Sequence, residues 1–215
     1  MSSPELVAEA LTERILSLEL TPGTPLREIA LAETYACSRR TAREALLQLA
    51  RAGLVSHERN RGAVVRTFTP EDISDLYRVR RTLEGQGAAS CIAAPLAQLQ
   101  TVDQAYERLA ASARSGQDTV EHALMDLRFH AAVIALIGST RIDSFFEQIA
   151  VEMAYAIRLI QHDEVAERVS EAEVLRDHAR IRDAVLARNP LEAQRAVLAH
   201  IEENEPRLLR VIRAG

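Results

Sequence analysis

Four side chains in this 215-residue chain could hold a metal ion together: Asp126, His130, His178 and His200. Asp126 and His130 are four residues apart, so on a helix they lie on one face, a turn apart. Leu127, Ala131 and Val133 flank them, which predicts that this face looks partly inward. His178 and His200 each stand eleven residues from Asn189. Asn189-Pro190 reads as the turn between two helices, with Asn189 as N-cap and Glu192 at N3. Residues equidistant from an antiparallel hairpin turn lie at one level, so the two imidazoles can face one another. One Asp and three His inside a bundle form a donor set for a first-row divalent ion. Imidazole suits Zn, Ni, Fe and Mn, and the carboxylate adds a hard ligand that offsets charge. Four ligands around an octahedral ion leave positions for water or a small bidentate carboxylate. The competing reading is a buried polar cluster, because a buried His more often completes a hydrogen-bond network than binds metal. His122 extends the stripe by another turn but drifts ~80° around the helix, and it reads as surface. His57 and His162 read as solvated.

A second constellation is basic. All 26 cationic side chains are Arg, and seven of them fall within 38–66 beside only two acids, although the whole chain carries a net charge of −5. A basic patch in an acidic chain suggests one surface for a polyanion and a remainder with another task. Arg39, Arg40 and Arg43 share one segment with Ser38 and Thr41; Arg59 and Arg61 stand beside Gly62.

The elements that must position these residues are mostly helical. Hydrophobic residues make up 47% of the chain and charged ones 27%, which excludes disorder as the main state. Ala, Leu, Glu and Arg dominate and aromatics are 4%, which favours helices. No apolar run approaches the ~18 residues of a membrane span, and the N-terminus has no signal pattern. Cys37 and Cys91 make neither a disulfide framework nor a CxxC site. A cytoplasmic protein is expected.

Ser3-Pro4-Glu5 starts a helix whose stripe runs Leu6, Ala10, Leu11, Ile15, Leu18, stopped by Thr21-Pro22-Gly23. A second short helix is expected from about Leu26 to Tyr35, then a tight connection at Ala36-Cys37. Ser38 caps a third, reaching Ala52 with Gly53 as its stop. The period then changes to two: 54–57 and 63–66 flank Glu58-Arg59-Asn60-Arg61-Gly62, a β-hairpin with a basic tip. Thr69-Pro70-Glu71-Asp72 is a second sharp helix start, which sets the domain boundary between 1–69 and 70–215. Helices follow at roughly 70–93, 95–114, 118–137, 140–162, 165–187 and 190–212. The expected fold is mainly α: a winged helix-turn-helix of three helices plus a hairpin wing, then an all-α antiparallel bundle. In that frame Arg39, Arg40, Thr41 and Arg43 lie at the N-terminal end of a recognition helix, where base edges and phosphates are met. Arg61 and the Gly62 backbone lie on the wing.

Pro22-Gly23, Leu26-Arg27-Glu28, Leu31-Ala32, Ser38-Arg39, Arg43-Glu44-Ala45-Leu46, Leu49, Gly53-Leu54-Val55 and Arg61-Gly62 resemble, in order and spacing, the GntR family of bacterial transcription regulators. Tyr77-Arg78-Val79-Arg80 with Leu83-Glu84 looks like the start of a FadR-type FCD effector domain. Ala36 stands where a Gly usually makes the turn, Arg40-Thr41 replaces the usual Thr-Pro, and Ile29 stands where some members carry an Arg. Those departures bear on which DNA sequence is read. The resemblance implies that Asp126, His130, His178 and His200 match the metal-binding pattern Asp-x-x-x-His followed by two His. It also implies that Arg80 is either an effector-carboxylate clamp or the partner of Glu84 in an intrahelical ion pair. The expected protein is a homodimeric regulator, commonly a repressor, on a pseudo-palindromic double-stranded DNA operator. Its bundle would hold a divalent transition metal (Zn, Ni or Mn/Fe) and a small carboxylate effector, with no membrane partner. The rival reading is a metal-dependent enzyme using the Asp/His site on a small carboxylate. Against it stand the lack of HExxH or GxSxG and a basic winged helix with no task.

Overall fold

A computed structural model describes residues 3–59, 61–115, 119–166 and 170–214. It divides into two compact units, 1–67 with 148–155, and 68–147 with 156–215.

The first unit begins with α1 (Pro4–Leu16), capped by the Ser3 hydroxyl, which accepts from the Leu6 amide. Val7, Leu11 and Ile15 are fully buried. Leu18, expected on the same stripe, lies past the helix with φ 60°, so the chain turns earlier than its apolar spacing suggests. The second helix, α2 (Glu28–Thr34), is shorter than 26–35. Its start is delayed because the Leu26 amide donates to the Ala63 carbonyl, tying this segment beside the wing. Ala36 makes the connection to α3 (Arg39–Arg51) with φ 48°, the conformation for which Gly is the usual choice. The hairpin pairs β1 (Val55–Glu58) with β2 (Gly62–Val65) antiparallel, Val55 opposite Val65 and Glu58 opposite Gly62. Asn60 of the expected tip lies outside the described residues.

The second unit is a helical bundle. Thr69 and Asp72 form a reciprocal capping box at the start of α4 (Pro70–Ala89), which closes in a 3₁₀ turn at Ser90–Ile92. Then come α5 (Leu96–Ser115), α6 (Val120–Ala135), α7 (Thr140–Ala166, whose stretch 148–155 belongs to the first unit), α8 (Glu171–Leu186) and α9 (Pro190–Ala214). Asp118, expected at the start of α6, lies outside the described residues; Thr119 caps that helix. The Ser170–Glu173 capping box starts α8 later than the expected 165. α4 packs on α9 and α6, α5 on α6 and α8, and α8 on α9. Gly87 permits the close approach of α4 to α6: a Cβ there would come within 2.3 Å of the Val133 carbonyl oxygen. Among the described residues no helix is long and apolar enough to cross a membrane.

Candidate metal centre and nucleic-acid surface

Helix packing brings the distant ligands together. α6 supplies Asp126 and His130, α8 His178 and α9 His200, each 7% exposed or less. The ligand nitrogens of the three His all lie within 4.8 Å of one another. Ring centroids are 4.5 Å apart for His178–His200, 5.2 Å for His130–His200 and 5.4 Å for His130–His178. Nitrogens bound to one ion at ~2.1 Å stand roughly 3.0–3.4 Å apart in octahedral or tetrahedral geometry, so shifts on the order of 1 Å would convert this cluster into a coordination sphere. Asp126 closes the set, its Oδ1 3.0 Å from His178 Nε2 and its Oδ2 3.4 Å from His130 Nε2. The residues fit a divalent ion held by three imidazoles and a carboxylate.

α4 supplies the supporting charges. Arg80 Nε donates to Glu84 Oε1 at 2.7 Å, a pair 3% and 1% exposed. The other Glu84 oxygen stands 2.8 Å from His130 Nδ1. The two atoms are not aligned as a hydrogen bond, so the contact is electrostatic, a carboxylate set beside a ligating imidazole. Arg80 Nη2 lies 3.1 Å from the same Nε2. Arg80 is thus both the ion-pair partner of Glu84 and a wall of the site.

These neighbours divide the protons unevenly. Burial works against charge on Glu84, yet Arg80 and His130 bring its carboxyl down to about 2. Asp126 is held well below the ordinary carboxylate range despite burial, chiefly by His178 and His130. Burial opposes charge on His130 too, but Glu84 and Asp126 outweigh it and raise the ring to about 9. His200 goes the other way: burial, with His178, His130 and Arg80 nearby, keeps it neutral, well below its ordinary value. The site therefore presents one imidazole already free to ligate and one whose proton a metal must displace.

A cavity of about 170 Å³ opens from the cluster, lined by Arg80, Asp126, His178 and His200 and, from α7 and α9, by Gln161 and Asn204. Phe129 walls the cluster on one side, edge-on to His130 and His178 at 5.6 and 5.3 Å. His122 is a correction to the sequence reading. It is fully buried rather than superficial, and its Nδ1 meets the Ser112 hydroxyl at 2.9 Å. The face of α6 that turns away from the metal cluster is covered by α5, which angular drift alone does not reveal. His57 and His162 are exposed, as expected. Sequence reasoning missed the reach of Glu84 to His130 and the place of Gln161, an amide that simply follows Ile157-Arg158-Leu159-Ile160 in the sequence.

In the first unit the side chains of Arg39, Arg40 and Arg43 are 66%, 87% and 64% exposed. Each leans on an acid: Arg43 on Glu28 at 2.7 Å, Arg39 on the same carboxylate at 3.8 Å, Arg40 on Glu44 at 2.9 Å. Ser38 and Thr41 form the N-terminal cap of α3, the Thr41 amide donating to Ser38 Oγ at 3.0 Å. Arg61 pairs with Glu58 at 2.7 Å and donates to the Gly23 carbonyl, while Gly62 begins β2 at φ 78°. The arrangement displays cations on a helix start and a hairpin, as a duplex-reading surface requires.

Residues 5–65 match the family of bacterial regulatory proteins called gntR, and 75–203 match the FCD domain. The Glc operon transcriptional activator of Escherichia coli (strain K12) is 29% identical over 92% of this chain and 85% of its own length. The gluconate operon transcriptional repressor of Bacillus licheniformis is 29% identical over 80% of this chain and 70% of its own. A GntR transcriptional regulator from Rhodococcus sp. RHA1, solved by crystallography, superposes with a TM-score of 0.80 at 29% identity, covering 96% of this chain and 97% of that one.

Proposed function

The chain belongs to the gntR family of bacterial regulatory proteins and carries its FCD domain, and from that premise we propose a metal-dependent, carboxylate-responsive repressor. Its relatives are transcriptional regulators, so the enzyme reading is set aside and DNA binding is the chain's activity. Residues 1–69 read the operator through Ser38, Arg39, Arg40, Thr41 and Arg43, with Arg61 and Gly62 on the wing. Residues 70–215 hold the effector and the dimer contact. A cytoplasmic homodimer presents two winged helices to a pseudo-palindromic site, since two-fold operators ask for two-fold proteins.

One observation carries the effector half of this reading. Three imidazoles from three helices converge beside Asp126 and a buried guanidinium, on a cavity large enough for a small molecule. Asp126, His130, His178 and His200 would hold a divalent ion, Zn, Ni or Mn/Fe, whose open positions supply a Lewis-acid anchor for a carboxylate. Arg80 supplies a fixed positive charge on the same wall, and Glu84 keeps it oriented. Because Arg80 and Glu84 lie on α4, the helix that begins at Pro70 just after the wing, the occupied site biases the helix that leads out of the DNA-reading unit.

Elemental analysis of protein purified without chelator tests this, with thermal melting in added Zn, Ni or Mn. About one metal per chain and a raised Tm are expected, lost in His178→Ala. No metal and an unmoved melting curve would reduce the four residues to a buried polar cluster.

A further inference from the structure

Gln161 is 4% exposed, on the wall of the cavity that His178, His200, Asp126 and Arg80 also line. Its Oε1 is buried and meets no hydrogen-bond donor among the described residues. The positions before it on α7 within the same unit, 156–160, are all buried, Arg158 included, and Ile157 and Ile160 line the cavity beside it. A leucine would suit such a position better, because a buried acceptor without a donor forfeits its hydration for nothing in return. An amide kept there, in the wall of a cavity, has a use when a ligand completes it.

We propose that Gln161 is a specificity-determining residue: its amide oxygen accepts a hydrogen bond from a hydroxyl beside the effector's carboxylate, so the site takes hydroxy-carboxylates ahead of plain or keto acids of equal length. The inference rests on the carboxylate reading above and adds the second contact point. With the carboxylate at the metal ligands and Arg80, the substituent on the neighbouring carbon faces the remaining wall. A plain acid leaves Oε1 bare there, and a keto oxygen sets one acceptor against another. A site built to pair with a hydroxyl rejects analogues lacking it through that unpaired group rather than through any clash. Glu173, Asp177 and Glu203 also line the cavity, so alanine is the probe that separates a hydroxyl site from an ammonium site.

The test uses the full-length, zinc-loaded protein and matched probes. Propionate, each lactate enantiomer, pyruvate and alanine differ only at the second carbon; succinate and malate repeat the comparison in a longer acid. Calorimetry should give at least a roughly tenfold tighter Kd for a hydroxylated member than for its plain partner, in line with the loss of one buried hydrogen bond. Gln161→Leu should bring the hydroxy acid down to the plain acid's level and leave plain-acid affinity and metal content unchanged. Without effector, Gln161→Leu should melt at or above the wild type, because the substitution removes an unsatisfied polar group. A hydroxyl preference that survives in Gln161→Leu overturns the assignment, as does a wild type that prefers pyruvate or alanine or shows no preference. A lowered Tm for effector-free Gln161→Leu also overturns it, by showing that the amide supports the fold. If neither plain nor hydroxylated acid binds the zinc-loaded protein, the carboxylate reading itself falls.

Discussion

Arg43 and Glu28 pair at 2.7 Å on the winged helix with the arginine side chain 64% exposed; Arg80 and Glu84 pair at the same distance in the bundle with 3% and 1% exposed. Distance alone would rank them equal. Solvent separates them. In the first pair water screens both ions, so exchanging the carboxylate for a phosphate costs little and the guanidinium stays available. In the second, each charge was taken from water at a cost that its partner offsets, helped by His130 for Glu84 and by Tyr77 and Asp126 for Arg80. The winged helix therefore stores arginines for an outside anion, whereas the bundle fixes one arginine as part of a built site.

The sharpest way to break that comparison is to neutralise both acids. Glu84→Gln leaves Arg80 buried without its counter-ion, and a loss of about 3–5 kcal/mol is expected by denaturant unfolding. Glu28→Gln, which strands an exposed arginine, should cost under ~1 kcal/mol. Equal costs would mean that burial does not distinguish the two pairs.

Metal loading comes next. At a hundredfold excess over Kd, binding to the folded state alone adds about 2.7 kcal/mol, and His178→Ala or His200→Ala should abolish most of the corresponding Tm rise. Its pH dependence follows from His130, raised to about 9. In the metal-free protein the raised ring contributes stability that is complete below the unfolded value of ~6.5 and is lost as pH climbs through about 9. Metal needs that ring deprotonated, so the metal-induced rise in Tm should grow across the same window. A rise that is flat from pH 6.5 to 9 would place His130 outside the coordination sphere. Glu84 works in the opposite direction: its contribution holds above the ordinary carboxylate range and disappears as pH falls through about 2.

On the DNA side the expected effects are smaller and sort by salt. Arg39→Ala, Arg40→Ala and Arg43→Ala should each weaken operator binding; a base contact costs about 1–3 kcal/mol and relaxes specificity, while a phosphate contact lowers the salt slope by about one. Unchanged affinity in all three would remove α3 from the interface. The smallest effect concerns backbone alone. Ala36 takes a φ of 48°, so Ala36→Gly should stabilise the winged helix by about 1 kcal/mol in thermal melts.

Much of this was legible before any coordinates. Caps at Ser3, Ser38, Thr69 and Asn189 are local chemistry, one side chain meeting an amide within three residues, and each helix start at these positions lies where the spacing predicts. Asp126 and His130 share a face for the same local reason, and the hairpin arithmetic brought His178 and His200 to one level. Helix ends and partners were less legible. α2 begins late because a wing strand captures Leu26, and His122 is buried because α5 lies over it.

The sequence by itself determined the helical composition, the capped starts, the basic segment from Ser38 to Arg66 and the donor set of one Asp and three His, since each follows from residue type and short-range spacing. Only the tertiary structure decided that Glu84 reaches His130, that Arg80 is at once ion-paired and part of the cavity wall, and that Gln161 lines that cavity with its amide oxygen meeting no donor among the described residues. Those three facts depend on how α4 and α7 are rotated within the bundle. That rotation is set by the packing of whole helix faces and by the close crossing at Gly87, which no local pattern encodes.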